Sequence, residues 1–178
     1  MLRLTTFAAA CLMPALALAA GGESNTAPST TNTSTTCAAG KVWDVKTKTC
    51  LDVKSEAFDN DTLFAAVREL AYAGRPDSAA LALAAMTEGD TDRVMTYRGF
   101  LARMAGDMDA AMAFYNAALM LNPDNVLARS YMAQGFVALG RMDAAEAELA
   151  EIRGRGGIGT WAEASLVQAI ERGATFRY

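Results

Sequence analysis

The chain has 178 residues, no histidine, and a formal net charge of −4 from 16 basic and 20 acidic side chains. That length holds one ordinary domain once targeting and linker segments are set aside, and an acidic balance without a clustered Lys/Arg tract excludes nucleic acid as partner. The lack of histidine removes the commonest general base near neutral pH and the commonest metal ligand, so histidine-based triads and zinc sites are excluded as well.

Residues 1–20 have the layout of a secretory signal peptide: Arg3 at the basic start, an apolar stretch from Leu4 to Leu18, and Ala17-Leu18-Ala19 as a small-x-small cleavage site. The product is expected to be periplasmic or secreted. Cys11 follows three alanines, but the apolar run continues past it, which disfavours lipidation. No later stretch approaches the roughly 20 consecutive apolar residues of a transmembrane segment. Residues 21–36, GGESNTAPSTTNTSTT, contain no large apolar side chain. They read as a disordered Ser/Thr-rich linker, since nothing there offsets the entropy of ordering; a glycosylated stalk has the same composition.

Over residues 37–54, Val42, Trp43 and Val45 suggest a strand, Lys46 to Lys48 a polar turn, and a second short strand follows. Cys37 and Cys50 are the cysteines that remain after leader removal, and an even pair in an oxidising compartment favours a disulfide. A redox or metal role is disfavoured because there is neither histidine nor C-x-x-C spacing. This small disulfide hairpin is expected to lie outside the repeat core. Its order of Cys, Gly, apolar, aromatic, Asp and Cys resembles the centre of peritrophin-type chitin-binding modules. That likeness implies glycan contact through Trp43 and the lysines at 41, 46, 48 and 54.

Residues 55–178 are dominated by Ala, Leu and Met at helical spacing and read as all-α. Three segments align, beginning GRPDSAA at Gly74, GDMDAAM at Gly106 and GRMDAAE at Gly140. The glycines are 32 and 34 residues apart (106 − 74 and 140 − 106), and each is followed three places on by Asp77, Asp109 or Asp143. Glycine ends a first helix by tolerating left-handed backbone angles, and aspartate suits the positive N-terminus of a second. A repeat of this length signals stacked helical hairpins.

These segments resemble tetratricopeptide repeats. The middle copy, from Asp92 to Asn125, carries Gly99, Ala111, Tyr115, Ala118 and Pro123 at family positions; the next matches at Ala133, Phe136, Gly140, Ala145 and Leu149, and the first at Leu70, Gly74, Ala79 and Leu83. The family's leading Trp is replaced by Leu63, Met95 and Arg129. The resemblance implies a short α-solenoid of about three helical hairpins, with Gly99, Ala111, Ala118, Pro123, Ala133 and Ala145 as repeat-packing positions. Thr160-Trp161-Ala162-Glu163 has capping-box spacing, and the helix it starts is expected to cap the array, with Trp161 packing there.

The resemblance also implies a concave groove lined by first helices, where an extended protein or peptide partner binds. Carried over position by position, it assigns Phe64, Arg68, Tyr72, Arg93, Phe100, Arg103, Met104 and Gln134 to that groove, with Leu127 beside them. Phe64, Phe100 and Leu127 stand where a family set that grips a C-terminal carboxylate needs polar residues. Eight methionines between Met86 and Met142 are spread over several helices, which suits core filling better than soft-metal binding. Acid pairs such as Asp107/Asp109 and Glu146/Glu148 diverge on a helix, and the Gly-rich turn at residues 153–157 lacks the strand and Lys-Ser/Thr of a phosphate loop. The expected function is therefore a non-enzymatic interaction scaffold of the bacterial cell envelope, with no cofactor and no metal. The alternative is a glycan- or wall-binding factor that uses the Cys37–Cys50 hairpin.

Overall fold

The computed structural model describes residues 26–175; the expected signal peptide and the start of the linker lie outside the described residues. In chain order the elements are α1 (Asn32–Thr35), β1 (Lys41–Asp44), β2 (Thr49–Asp52), α2 (Asn60–Tyr72), α3 (Pro76–Ala85), α4 (Asp92–Met104), α5 (Met108–Leu121), α6 (Val126–Ala138), α7 (Met142–Gly154) and α8 (Trp161–Arg172). The helices form three successive hairpins, α2/α3, α4/α5 and α6/α7, closed by α8, which packs on α6 and α7.

Local chemistry sets these boundaries. Asp59, Thr91, Asp107, Asn125 and Thr160 each accept the amide three residues on, so five of the seven helices from α2 to α8 have side-chain capped starts. The starts of α3 and α7 lack a cap and have Asp77 and Asp143 in their first turns, placing negative charge against the helix dipole. Gly74, Gly106 and Gly140 end the first helices with φ of 68°, 84° and 71°. At α8 the capping box is shifted: Thr160 accepts from the Glu163 amide, while the Glu163 carboxylate reaches back to the Gly159 amide at 2.7 Å.

The main core takes Leu63, Phe64, Val67 and Leu70 from α2, Val94, Tyr97 and Phe100 from α4, and Leu127 and Tyr131 from α6. A second cluster of Val137, Ile152, Leu166 and Ala169 joins α6, α7 and α8. Small residues let the helices close. Ala111, Ala118, Ala133 and Ala145 have no exposed surface, and a Cβ at Gly99 would meet the Tyr115 ring at 2.6 Å. Pro123 differs from the other repeat positions: it is exposed between α5 and α6, where its ring ends a helix rather than packing a core.

Two expectations about the N-terminal part are corrected. Residues 26–36 of the expected linker are ordered, because charged residues of the repeats hold them through their backbone. Glu69 accepts from the amide and hydroxyl of Thr31, both at 2.6 Å, and from the amide of Ser34 at 2.9 Å. Arg75 donates to the carbonyls of Thr33 and Ser34. The hairpin, in turn, is part of the main core. β1 and β2 pair antiparallel with Trp43 opposite Cys50, and Cys37 is bonded to Cys50. Val42 and Val53 pack with α2 and α3 residues, so the disulfide-closed hairpin covers the open face of the first repeat as α8 covers that of the last.

Candidate functional site

The first helix of each hairpin presents residues at helical spacing toward the inside of the array. On α2 these are Phe64 and Tyr72, while Arg68 between them is turned toward residues 26–33; on α4, Phe100 and its neighbours; on α6, Leu127, Tyr131 and Gln134. Aromatic rings fill the space between them. Phe64 meets Tyr97 edge-on at 5.4 Å, Tyr72 stacks on Phe100 at 5.6 Å, and Phe100 lies 4.9 Å from Tyr131. Their polar ends join as well: the Trp161 indole N–H donates to the Tyr72 hydroxyl at 2.9 Å, and the Tyr131 hydroxyl pairs with those of Tyr72 and Tyr97 at 2.7 and 3.3 Å. The first turn of α8 thus touches the last turn of α2, and the array curls closed on its inner side.

This arrangement corrects the open-groove expectation for most of its residues. Phe64, Phe100 and Gln134 are buried and serve as packing; Gln134 lies beside Ser130 and Ser165 at 3.4 and 3.3 Å. Arg68 and Arg103 are buried too, while Tyr72, Arg93 and Met104 remain half-buried. Arg93 is committed to Glu88 and Asp61, and its guanidinium lies 4.8 Å from the centre of the Phe64 ring. Its titration is raised further above an already high value, chiefly by the Glu88 hydrogen bond. The structure therefore brings the named residues together, but as an interior.

The arginines divide into two kinds. Arg93, Arg98, Arg129, Arg153 and Arg155 each hold at least one carboxylate. No ion pair to a described carboxylate involves Arg103, which is 8% exposed, lies 5.3 Å from the Phe100 ring centre, and has Nε and Nη2 buried without an acceptor. The buried Tyr115 hydroxyl faces the Arg103 guanidinium, though neither closes a well-aligned hydrogen bond. Such groups are ordinarily rare, because leaving a buried donor unsatisfied costs about 1–3 kcal/mol.

Residues 102–156, from the end of α4 through α7, match the family model for the tetratricopeptide repeat. That stretch is similar to the tetratricopeptide repeat. No curated protein and no solved structure shows significant similarity to it. The matched region takes in the later part of the middle copy, including Ala111, Tyr115, Ala118 and Pro123, and most of the next. The inner tyrosines Tyr97 and Tyr131 escaped the sequence reading, although their separation of 34 residues (131 − 97) is the repeat period and marks them as equivalent positions.

Burial pushes the Tyr115 hydroxyl up to about 12, against the opposing charge of Arg103, and lifts Tyr131 well above 10, with Tyr97 and Tyr72 adding to the effect. Because these groups hold their protons more tightly in the folded state, their contribution is complete below pH 10 and is lost as pH rises toward 12. For Tyr115 alone the rise from 10 to about 12 corresponds to about 3 kcal/mol. The thermal midpoint is therefore expected to hold up to about pH 10 and then fall, with phenolate absorbance appearing alongside unfolding. Ionisation of every tyrosine near pH 10 without loss of helix would contradict the buried hydroxyl network.

Proposed function

We propose that the chain is a non-enzymatic protein-interaction module exported to the bacterial cell envelope, and that Arg103 anchors an acidic segment of its partner. Tetratricopeptide repeats generally mediate protein–protein interaction, which supports the general class. The single observation that carries the finer reading is Arg103. A buried guanidinium whose Nε and Nη2 lack a well-aligned acceptor, with only the neutral Tyr115 hydroxyl beside it, is poorly compensated, and a carboxylate from a partner would engage both donors in one bidentate pair. Half-buried Tyr72 and Met104 supply apolar surface nearby, in the manner of an arginine-and-aromatic interface anchor.

The reading has a signature that a structural role does not share. Arg103→Met is expected to raise the thermal midpoint, since it removes an unpaired buried charge at the cost of one cation–aromatic contact. The same variant should weaken binding to a partner captured from the native envelope by about tenfold or more, while Arg141→Glu on the exposed turn leaves it unchanged. A lower midpoint together with undiminished binding would refute the assignment.

A further inference from the structure

A half-open cleft of about 340 Å³ lies between residues 26–33, β1 and the outer face of α2. Pro28, Val42, Trp43, Ala65 and Ala66 form its apolar wall, and threonine hydroxyls and Arg68 its polar part. Two adjacent charges at this site behave in opposite ways. The Glu69 carboxylate is spent on Thr31 and Ser34, taking amide and hydroxyl donors from each. Arg68 is only 7% exposed and makes no ion pair to a described carboxylate. Its Nη2 donates to the Thr26 carbonyl at 2.7 Å, and its Nε is buried with no acceptor.

Nε and Nη2 share one edge of the planar guanidinium, the edge that a carboxylate engages with both oxygens. Here that edge holds a single neutral carbonyl oxygen, so one donor is left over. We propose that this cleft is a binding site for a carboxylate, which displaces the Thr26 carbonyl and closes both hydrogen bonds on Arg68. The rest of the ligand rests on Trp43 and the alanines of α2. The volume is at the low end of ligand pockets, about 300–1,000 Å³, so the ligand is a small acid or the carboxylate-bearing end of a peptide. The site lies between the hairpin and α2, apart from Arg103, and does not depend on the reading given for that residue.

Nuclear magnetic resonance titration of the disulfide-bonded protein tests this with three probes: N-acetyl-alanyl-alanine, its C-terminal amide, and succinate. The expected result is saturable shifts of the Trp43 indole and the amides of residues 26–33 with a carboxylate probe and none with the amide. Tighter binding of the dipeptide acid assigns a peptide source, and tighter binding of succinate a free acid. Arg68→Gln should weaken binding by about tenfold or more with helical circular dichroism retained. Arg68→Lys, which keeps the charge but loses the two-donor edge, should weaken it comparably. Equal binding of the amide, full binding by Arg68→Lys, shifts centred away from the cleft, or no saturable shift with either carboxylate would overturn the proposal.

Discussion

Phe100→Ala is expected to destabilise the fold by about 3–5 kcal/mol, the range for removing a large buried aromatic. Phe100 has no exposed surface and contacts the rings of Tyr72, Tyr97 and Tyr131, with the Arg103 guanidinium 5.3 Å from its centre. It therefore joins three first helices at one point. Truncation opens a cavity that the closed array cannot readily collapse into, because the Trp161–Tyr72 hydrogen bond and the tyrosine pairs fix its walls. Denaturant unfolding followed by circular dichroism measures the loss. A change below about 1 kcal/mol would mean that Phe100 faces a groove after all, since surface substitutions lie within about ±0.5 kcal/mol.

The same residue shows where sequence reasoning stopped. The repeat period and the small residues at Gly99, Ala111 and Ala145 identified the hairpins and their boundaries, because helix stops, dipoles and close approach are local chemistry. Whether an inward-facing position stays open is a different question. It depends on how far a short array curls and on what its ends contribute: Trp161 with Tyr72 closes the inner side, and Thr26 covers Arg68 from the N-terminal side. Neither pair has a sequence signal. Residues such as Phe64 and Phe100 were placed on the right face and given the wrong exposure. The linker failed for a related reason. Its composition cannot bury apolar surface, yet Glu69 and Arg75 order it through its backbone groups, which composition does not register. Arg103 is a further case: it is buried against Phe100 with two donors that lack a well-aligned acceptor, and the sequence pattern gives no sign of that burial.

Loss of the Cys37–Cys50 disulfide is expected to lower the stability of the whole helical array, by about 3 kcal/mol on the chain-entropy account for a loop of roughly this length. The bond spans 13 positions, so the constraint itself is local; its reach comes from packing. Val42 and Val53 belong to the cluster that holds Leu63, Phe64 and Leu70, and the Trp43 amide donates to the Thr33 hydroxyl at 3.2 Å, tying the hairpin to the strap held by Glu69 and Arg75. Releasing the hairpin would expose the first repeat's outer face, and a terminal repeat without its cap is the weak end of a solenoid. A Cys37→Ala/Cys50→Ala variant should therefore melt at a lower temperature in one transition, with helical circular dichroism and tryptophan fluorescence coincident, since Trp43 reports on the hairpin and Trp161 on α8. An unchanged helical midpoint, or a hairpin transition well below it, would restore the hairpin to the status of an independent appendage. The fluorescence experiment distinguishes those outcomes because Trp43 lies in the hairpin itself and Trp161 in α8, against Tyr72 of α2.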